Sequence, residues 1–304
     1  MSLYVEKIDT FAGHRDAIYA ITAATEPTQF FSAGADGMVI RWNLIRPDLG
    51  ELIARIPASV YGMTFDSVNN LLWVGQNFEG IHRIDPDTRQ EKDSLKLTNA
   101  AIFDIQLVDN IALLALGDGT VLVIDQAAFA IRKHLKASDA SARCIAINRI
   151  SREFAIGYSD HTIKIFDLDT LELTFIIAAH AHSVFTVCYS PDGQLLHSGG
   201  RDAHLKTWSV HDQYQLQQDV VAHMFAINHI AYSPNHQWIV TASMDKSLKV
   251  WEAKTSRLLK VIDRARHAGH RTSVNKVLWT THKNCLISGS DDRLLSIWEI
   301  RQPS

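Results

Sequence analysis

One constellation of four residues recurs at fixed spacing and constrains this chain more than any other feature. In the stretch from His180 to Trp208, the residues His180, Ser198, Asp202 and Trp208 lie at −22, −4, 0 and +6 relative to the aspartate. The same offsets hold for His14, Ser32, Asp36 and Trp42, for His223, Thr241, Asp245 and Trp251, and for His270, Ser288, Asp292 and Trp298. Short apolar runs connect these points. Val184, Val187 and Tyr189 precede a Pro191-Asp192-Gly193 turn, a second run from Leu195 ends in Gly199-Gly200-Arg201-Asp202, and a third ends at Trp208. Runs of that length between tight turns form antiparallel strands. Four copies without slippage mark a structural unit repeated along the chain.

The four side chains satisfy one another when buried. An indole N–H donates to a hydroxyl, the hydroxyl to an imidazole, and the other imidazole N–H to a carboxylate. The constellation resembles the WD40 repeat family, in which these residues form a hydrogen-bonded chain inside each blade of a β-propeller. Ser, His and Asp are also the parts of a hydrolase triad. A triad, however, occurs once per active site and exposes its serine, whereas this set recurs on strands and is closed by a tryptophan. All four sets are therefore assigned to fold stability, and no catalytic residue is assigned. Loss of one member leaves its neighbours unpaired, at a cost of roughly 1–3 kcal/mol.

The residue at the tryptophan position serves as a ruler. It falls at Trp42, Ile84, Ile124, Phe166, Trp208, Trp251 and Trp298, with gaps of 42, 40, 42, 42, 43 and 47. Seven units result, each of the length a four-stranded propeller blade needs. Aspartate holds the zero position in six units, including Asp118 and Asp160, and Phe78 stands there in unit 2. Units 2, 3 and 4 lack the His and the Ser/Thr, yet residues 60–65, 102–107 and 142–147 keep the apolar spacing. Those blades are expected to be held by apolar packing alone. The expected fold is all-β, a single domain over residues 1–304 forming a seven-bladed propeller of four-stranded antiparallel blades. After Trp298 only six residues remain, too few for another strand, while Leu3-Tyr4-Val5-Glu6-Lys7-Ile8 is an alternating strand without a partner. The resemblance implies that residues 2–9 supply the outer strand of the last blade. An open ring would leave an unpaired sheet edge on each side of the gap.

Composition narrows the function. With 304 residues and 46% apolar content the chain can bury one large core. There is no apolar run of about twenty residues to cross a membrane, and the N-terminal residues lack a signal-peptide apolar core. Cys144, Cys188 and Cys285 lie in different units without CxxC spacing, so they read as small buried hydrophobes in a reducing, cytoplasmic compartment. A net charge of −3 gives no pull toward nucleic acid or anionic lipid. Of the fifteen histidines four belong to the quartets. His182, His204, His211, His229, His236, His267 and His282 fall near strand ends or loops without Cys, Asp or Glu at ligand spacing. Glycines mark turns, none opens a helix, and no helical periodicity stands out, so phosphate-cradling loops are absent. Neither a metal nor a cofactor is expected.

Two groups of residues are candidates for recognition. The longest connection carries a basic stretch with Arg264, Arg266 and Arg271, which the family's geometry places on the top face. It reads either as a solvated loop or as a dock for an acidic peptide, a phosphate or a nucleic-acid backbone. The resemblance also implies that the residue five after the His position points toward the top-face opening of the central channel. Those residues are Tyr19, Tyr61, Phe103, Arg143, Phe185, Asn228 and Asn275, with Tyr61, Phe103 and Arg143 placed by strand alignment. Aromatic residues and Arg dominate interface hot spots. With Val184, Val187 and Tyr189 facing the core, Phe185 must face the other way. A second ring precedes each zero position, namely Ala35, Asn77, Gly117, Ser159, Arg201, Met244 and Asp291, in which Arg201 and Met244 would border the aromatics. The aromatics read equally as a plug of the channel mouth or as a recognition surface.

The resemblance implies an interaction scaffold: a rigid disc, expected to be monomeric, that binds a protein or peptide on its top face. Tyr19, Tyr61, Phe103 and Phe185 would grip an apolar anchor, and Arg143, Arg201 and residues 264–271 would hold an acidic group beside it. Two other readings compete. An enzyme using the channel as a pocket would need an acid/base pair, and the rings offer only Arg143, Arg201 and Asp291. A subunit of a nucleic-acid-associated complex would show binding that falls steeply with salt, and the net charge disfavours it.

Overall fold

A computed structural model of the chain describes residues 3–47 and 49–302. They form seven four-stranded antiparallel sheets. Six follow chain order, over residues 18–55, 63–96, 102–136, 142–178, 184–221 and 227–262. The seventh joins Val274–Trp279, Cys285–Ser290 and Leu294–Arg301 to the N-terminal strand Tyr4–Ala12. The first strand of each sheet touches its counterparts in the sheets on either side, and that of the seventh touches that of the first. The ring is a closed seven-bladed β-propeller.

The sequence pattern follows from where each strand lies. Second strands are sandwiched between neighbouring blades and are almost wholly buried, apolar apart from the quartet hydroxyls and a few other polar residues, as in the fully buried Ile111–Leu116. Their side chains mesh across blades: Leu113 and Val121 of blade 3 share one cluster with Phe154, Tyr158 and Phe166 of blade 4. The outer strands Gln90–Lys96 and Ala130–Lys136 are mostly exposed and charged, which keeps their open edges from pairing with other chains.

At the seam, Tyr4 pairs with Arg301 and Ala12 with Leu294, with a bulge between Lys7 and Asp9. Leu3 and Val5 are buried among Trp238 and Trp298. The strand expected over residues 2–9 runs on to Ala12, because Phe11 is buried in blade 1 against Phe30 and Trp42. Ser2 lies outside the described residues.

All four quartets form the expected chain. In blade 5, Trp208 Nε1 donates to Ser198 Oγ at 2.9 Å, Ser198 Oγ lies 2.8 Å from His180 Nε2, and His180 Nδ1 lies 3.0 Å from Asp202. The links span 2.7–3.0 Å through Trp42, Ser32, His14 and Asp36, 2.7–2.9 Å through Trp251, Thr241, His223 and Asp245, and 2.8–3.0 Å through Trp298, Ser288, His270 and Asp292. Each aspartate also accepts backbone N–H groups, as Asp202 does from Ala181 and His204. Burial opposes its ionisation, but these bonds and His180 hold the Asp202 carboxyl well below the ordinary range.

Two expectations need correction. Apolar packing does not act alone in units 2 to 4. In blade 4, Ser138 stands at the His position, and Asp160 accepts from Ser138 Oγ at 2.6 Å, Thr162 Oγ1 at 2.6 Å and Lys164 Nζ at 3.2 Å. Despite burial, these donors hold Asp160 at about 2. In blade 2, His82 bridges Gln76 and Glu91, each at 2.8 Å. Buried polar atoms need partners whichever residues supply them. Helical structure is also present, as a single turn over Arg264–His267, N-capped by the Asp263 side chain through Arg266 N–H, and as a short 3₁₀ segment over His282–Asn284.

Candidate functional site: the channel mouth

The innermost strands carry a device that aims side chains into the channel. In six blades the ladder to the second strand skips one residue, at Tyr19, Phe103, Arg143, Phe185, Asn228 and Asn275. A residue at such a bulge leaves the pairing and the strand bends there. In blade 2 the strand begins at Met63, so Tyr61 reaches the same level from the preceding loop. All seven residues line one cavity of about 590 Å³. The bulge also corrects the sequence argument, since Val184 and Val187 both face the core across an odd interval that regular alternation forbids.

The rim has two unlike halves. Tyr19 and Tyr61 pack with ring centroids 4.8 Å apart, and Tyr61 and Phe103 at 5.7 Å. The Arg143 guanidinium continues the arc, 3.9 Å from the Phe103 ring and 5.1 Å from that of Phe185, within cation–π range of both. Opposite, amides tie blades together. Asn228 Nδ2 donates to Ser273 Oγ at 3.0 Å and to the carbonyl of Val274 at 2.9 Å. Asn275 Nδ2 donates to the carbonyl of Ile18 and to Asp291.

A second tier lies just below, formed by the residue after each bulge, including Asp104, Cys144, Thr186, His229 and Lys276. Two of these link neighbouring blades: Asp104 accepts Ile145 N–H at 2.8 Å, and Thr186 Oγ1 accepts Ile230 N–H at 3.1 Å. His229, expected near a strand end or loop, instead lies within Ile227–Tyr232, and its Nδ1 is shut off from solvent without a hydrogen-bond partner. Burial, with Lys276 nearby, holds its imidazole well below the ordinary histidine range, so it is neutral. Burial also pushes the Cys144 and Cys188 thiols up to about 12, which keeps both protonated. Arg143 and Lys276 form no hydrogen bond or ion pair among the described residues, and burial lowers the Arg143 pKa from its ordinary value.

Residues 5–43, 171–209, 214–252 and 263–299, just over half of the chain, match the family described as WD domain, G-beta repeat. The chain belongs to the WD40-repeat family. The matched segments carry the four quartets, and most of units 2 to 4 lies outside them. Among curated proteins, mouse striatin is 22% identical over 242 residues, covering 71% of this chain and 31% of that protein. The WD repeat-containing protein SL1-17 of Schistosoma mansoni is 22% identical over 202 residues, covering 66% of this chain and 54% of that protein. The chain thus spans about a third of the length of the striatins. The WD40 β-propeller domain of Doa1 superposes with a TM-score of 0.86 at 20% identity, covering 99% of this chain and 98% of that one.

The remaining candidates of this WD40 propeller lie outside the channel. Arg201 is exposed on its turn, and Met244, 56% exposed, neighbours the loop of Met224 and Phe225 through its N–H to the carbonyl of Ala226. Met224 and Phe225, 83% and 57% exposed, complete an apolar patch over blade 6 that the ring count did not include. Their trace in sequence is two large apolar residues directly after a quartet histidine, where the other repeats read Arg15-Asp16, Ala181-His182 and Arg271-Thr272. The basic stretch is not brought to Arg143. Its helical turn packs outward, held by Lys7 Nζ to the carbonyl of Ala268 at 3.0 Å. Arg266 faces Asp263 at 3.4 Å and borders a groove on the outer strand of blade 6 with Leu258, Lys260 and His267. Arg264 and Arg271 are exposed and do not line the cavity.

Proposed function

We propose that this WD40 propeller is a non-catalytic protein-interaction scaffold that holds a peptide or protein segment across its top face, over the channel mouth. The observation that carries this reading is the arc of Tyr19, Tyr61, Phe103, Arg143 and Phe185, aimed into the channel where a core has no use for them. A cavity of about 590 Å³ left open beside them supports recognition over a plug. The exposed Met224, Phe225 and Met244 widen the apolar surface toward blade 6. Against an enzyme, the cavity carboxylate Asp104 is engaged by Ile105 N–H, Ile145 N–H and Gln106, and the channel thiols are protonated. Three free cysteines in separate blades support a reducing compartment such as the cytoplasm.

The test compares variants on two surfaces. Partners cross-linked to the wild-type propeller are expected to be lost in Tyr61→Ala and Phe103→Ala and retained in Ile176→Ala, on the exposed outer strand of blade 4. The reverse pattern would move the interaction to the outer edge and end this reading.

A further inference from the structure

We infer that the channel beneath the aromatic arc is a carboxylate slot, in which an acidic side chain of a bound peptide is held between the Arg143 guanidinium and the Lys276 ammonium. The inference rests on the proposed scaffold role and names the chemistry of its ligand. Phe103 and Phe185 cover Arg143, which leaves the donor-bearing edge of the guanidinium as the part that can meet a ligand. That edge is a rigid fork matched to a carboxylate, and among the described residues it has no partner. Lys276 lines the same cavity and is equally unpaired.

Position sets this pair apart, since both cations line the channel cavity. The chain has 33 acidic against 30 basic residues, and several inward-facing cations meet carboxylates: Arg41 pairs with Glu51, Arg83 with Asp93, and the buried Lys164 with Asp160. Asp104, the carboxylate of the cavity, forms no ion pair with either cation and accepts Ile145 N–H of blade 4. His229 lines the same cavity, but its Nδ1 is sealed behind the wall and meets no ligand there. Two cations against the single carboxylate of Asp104 leave the cavity with a positive excess, complementary to an anion that arrives with a partner.

The walls select the anion. The rings of Phe103 and Phe185 stand beside these groups, a setting suited to methylenes carrying one planar charge. A phosphate brings a second charge that would need further donors. Apolar residues flanking the acid in the peptide would meet Tyr19, Tyr61 and the Met224-Phe225 patch.

The experiment uses the full chain against immobilised random peptides with Glu, Gln, phosphoserine or Lys fixed at the centre. Central Glu is expected to be enriched about tenfold over central Gln, the preference of a charge-assisted bond over a neutral one. Arg143→Met and Lys276→Met should each remove most of that preference at unchanged Tm. Equal capture of Glu and Gln, a preference for phosphoserine, or a Glu preference that survives both variants would each overturn the slot. If Glu and Gln are captured equally and Phe103→Ala abolishes both, the slot fails and the scaffold reading stands. If the wild-type propeller captures no peptide, both fall.

Discussion

Asn275 Nδ2 donates to the backbone carbonyl of Ile18 at 3.0 Å, joining the last blade to the first across the seam of the ring. The same amide group donates to Asp291 at 2.6 Å, and its oxygen accepts from Ser273 Oγ at 2.9 Å. Ile18 is fully buried, so its carbonyl has little water to turn to. Asn275→Ala is expected to destabilise the propeller by about 1–3 kcal/mol, seen as a Tm lowered by several degrees in calorimetry. An unchanged Tm would show that the inner seam does not depend on this side chain.

The outer seam should matter more. Deleting residues 3–9 removes the buried Leu3 and Val5 and leaves the segment from Ile297 to Arg301 with one edge unpaired. Open edges recruit other chains. The truncated protein is expected to lose its cooperative transition and to scatter light on concentration. A truncated chain that stays monodisperse with the full-length Tm would contradict the closure argument.

Within a quartet, the hydroxyl serves two neighbours at once. Thr241 Oγ1 accepts from Trp251 Nε1 and donates to His223 Nε2, all of them buried. Thr241→Ala strands both and should cost about 1–3 kcal/mol. Thr241→Ser keeps both bonds and should cost less than about 1 kcal/mol. Urea midpoints for the two variants measure the difference, and equal losses would assign the effect to the lost methyl rather than to the network.

How much of this could be read in advance depended on whether a fixed count was available. A buried polar chain demands particular residue types at particular intervals, so Trp208, Ser198, His180 and Asp202 stood out without coordinates. In blade 4 the count placed Asp160, but Ser138 and Lys164 satisfy the same demand around it with other residue types that no count singles out. Tyr19, Phe185, Asn228 and Asn275 could be placed because each lies five residues after a His, and Tyr61, Phe103 and Arg143 by aligning their strands with those. Lys276 and His229 could not, because strict alternation turns the residue after a channel-facing one away, whereas the bulges leave both facing the channel. The odd interval from Val184 to Val187 was the trace of that device. Arg264–His267 is one helical turn, too short to show a period, and its packing against the outer strand of blade 7 carried the basic residues away from Arg143.

Acid should destabilise the propeller in two stages, and His197 is the marker of the first. It is fully buried in blade 5, with Nδ1 3.0 Å from Thr207 Oγ1 and Nε2 2.6 Å from Tyr232 OH of blade 6. Burial lowers its pKa from 6.5 to about 4. Between those values the unfolded chain takes up a proton that the folded chain refuses. The stabilising contribution is therefore complete above pH 6.5 and shrinks as pH falls toward 4, by about 1.4 kcal/mol per unit and on the order of 3 kcal/mol in all. His14 and His223, also lowered by burial, act in the same direction. The second stage belongs to carboxylates such as Asp160 and Asp292, which fold with values of about 2 against 3.8 unfolded, so their contribution is lost as pH drops from about 4 toward 2. His197→Gln retains a donor and an acceptor but cannot titrate. Urea unfolding at pH 7, 6, 5 and 4, chosen as about one step per unit across the window, should show a shallower decline for His197→Gln than for the wild type, with the loss below pH 4 unchanged. Parallel curves for the two proteins would mean that the buried imidazole is not what makes the ring sensitive to mild acid.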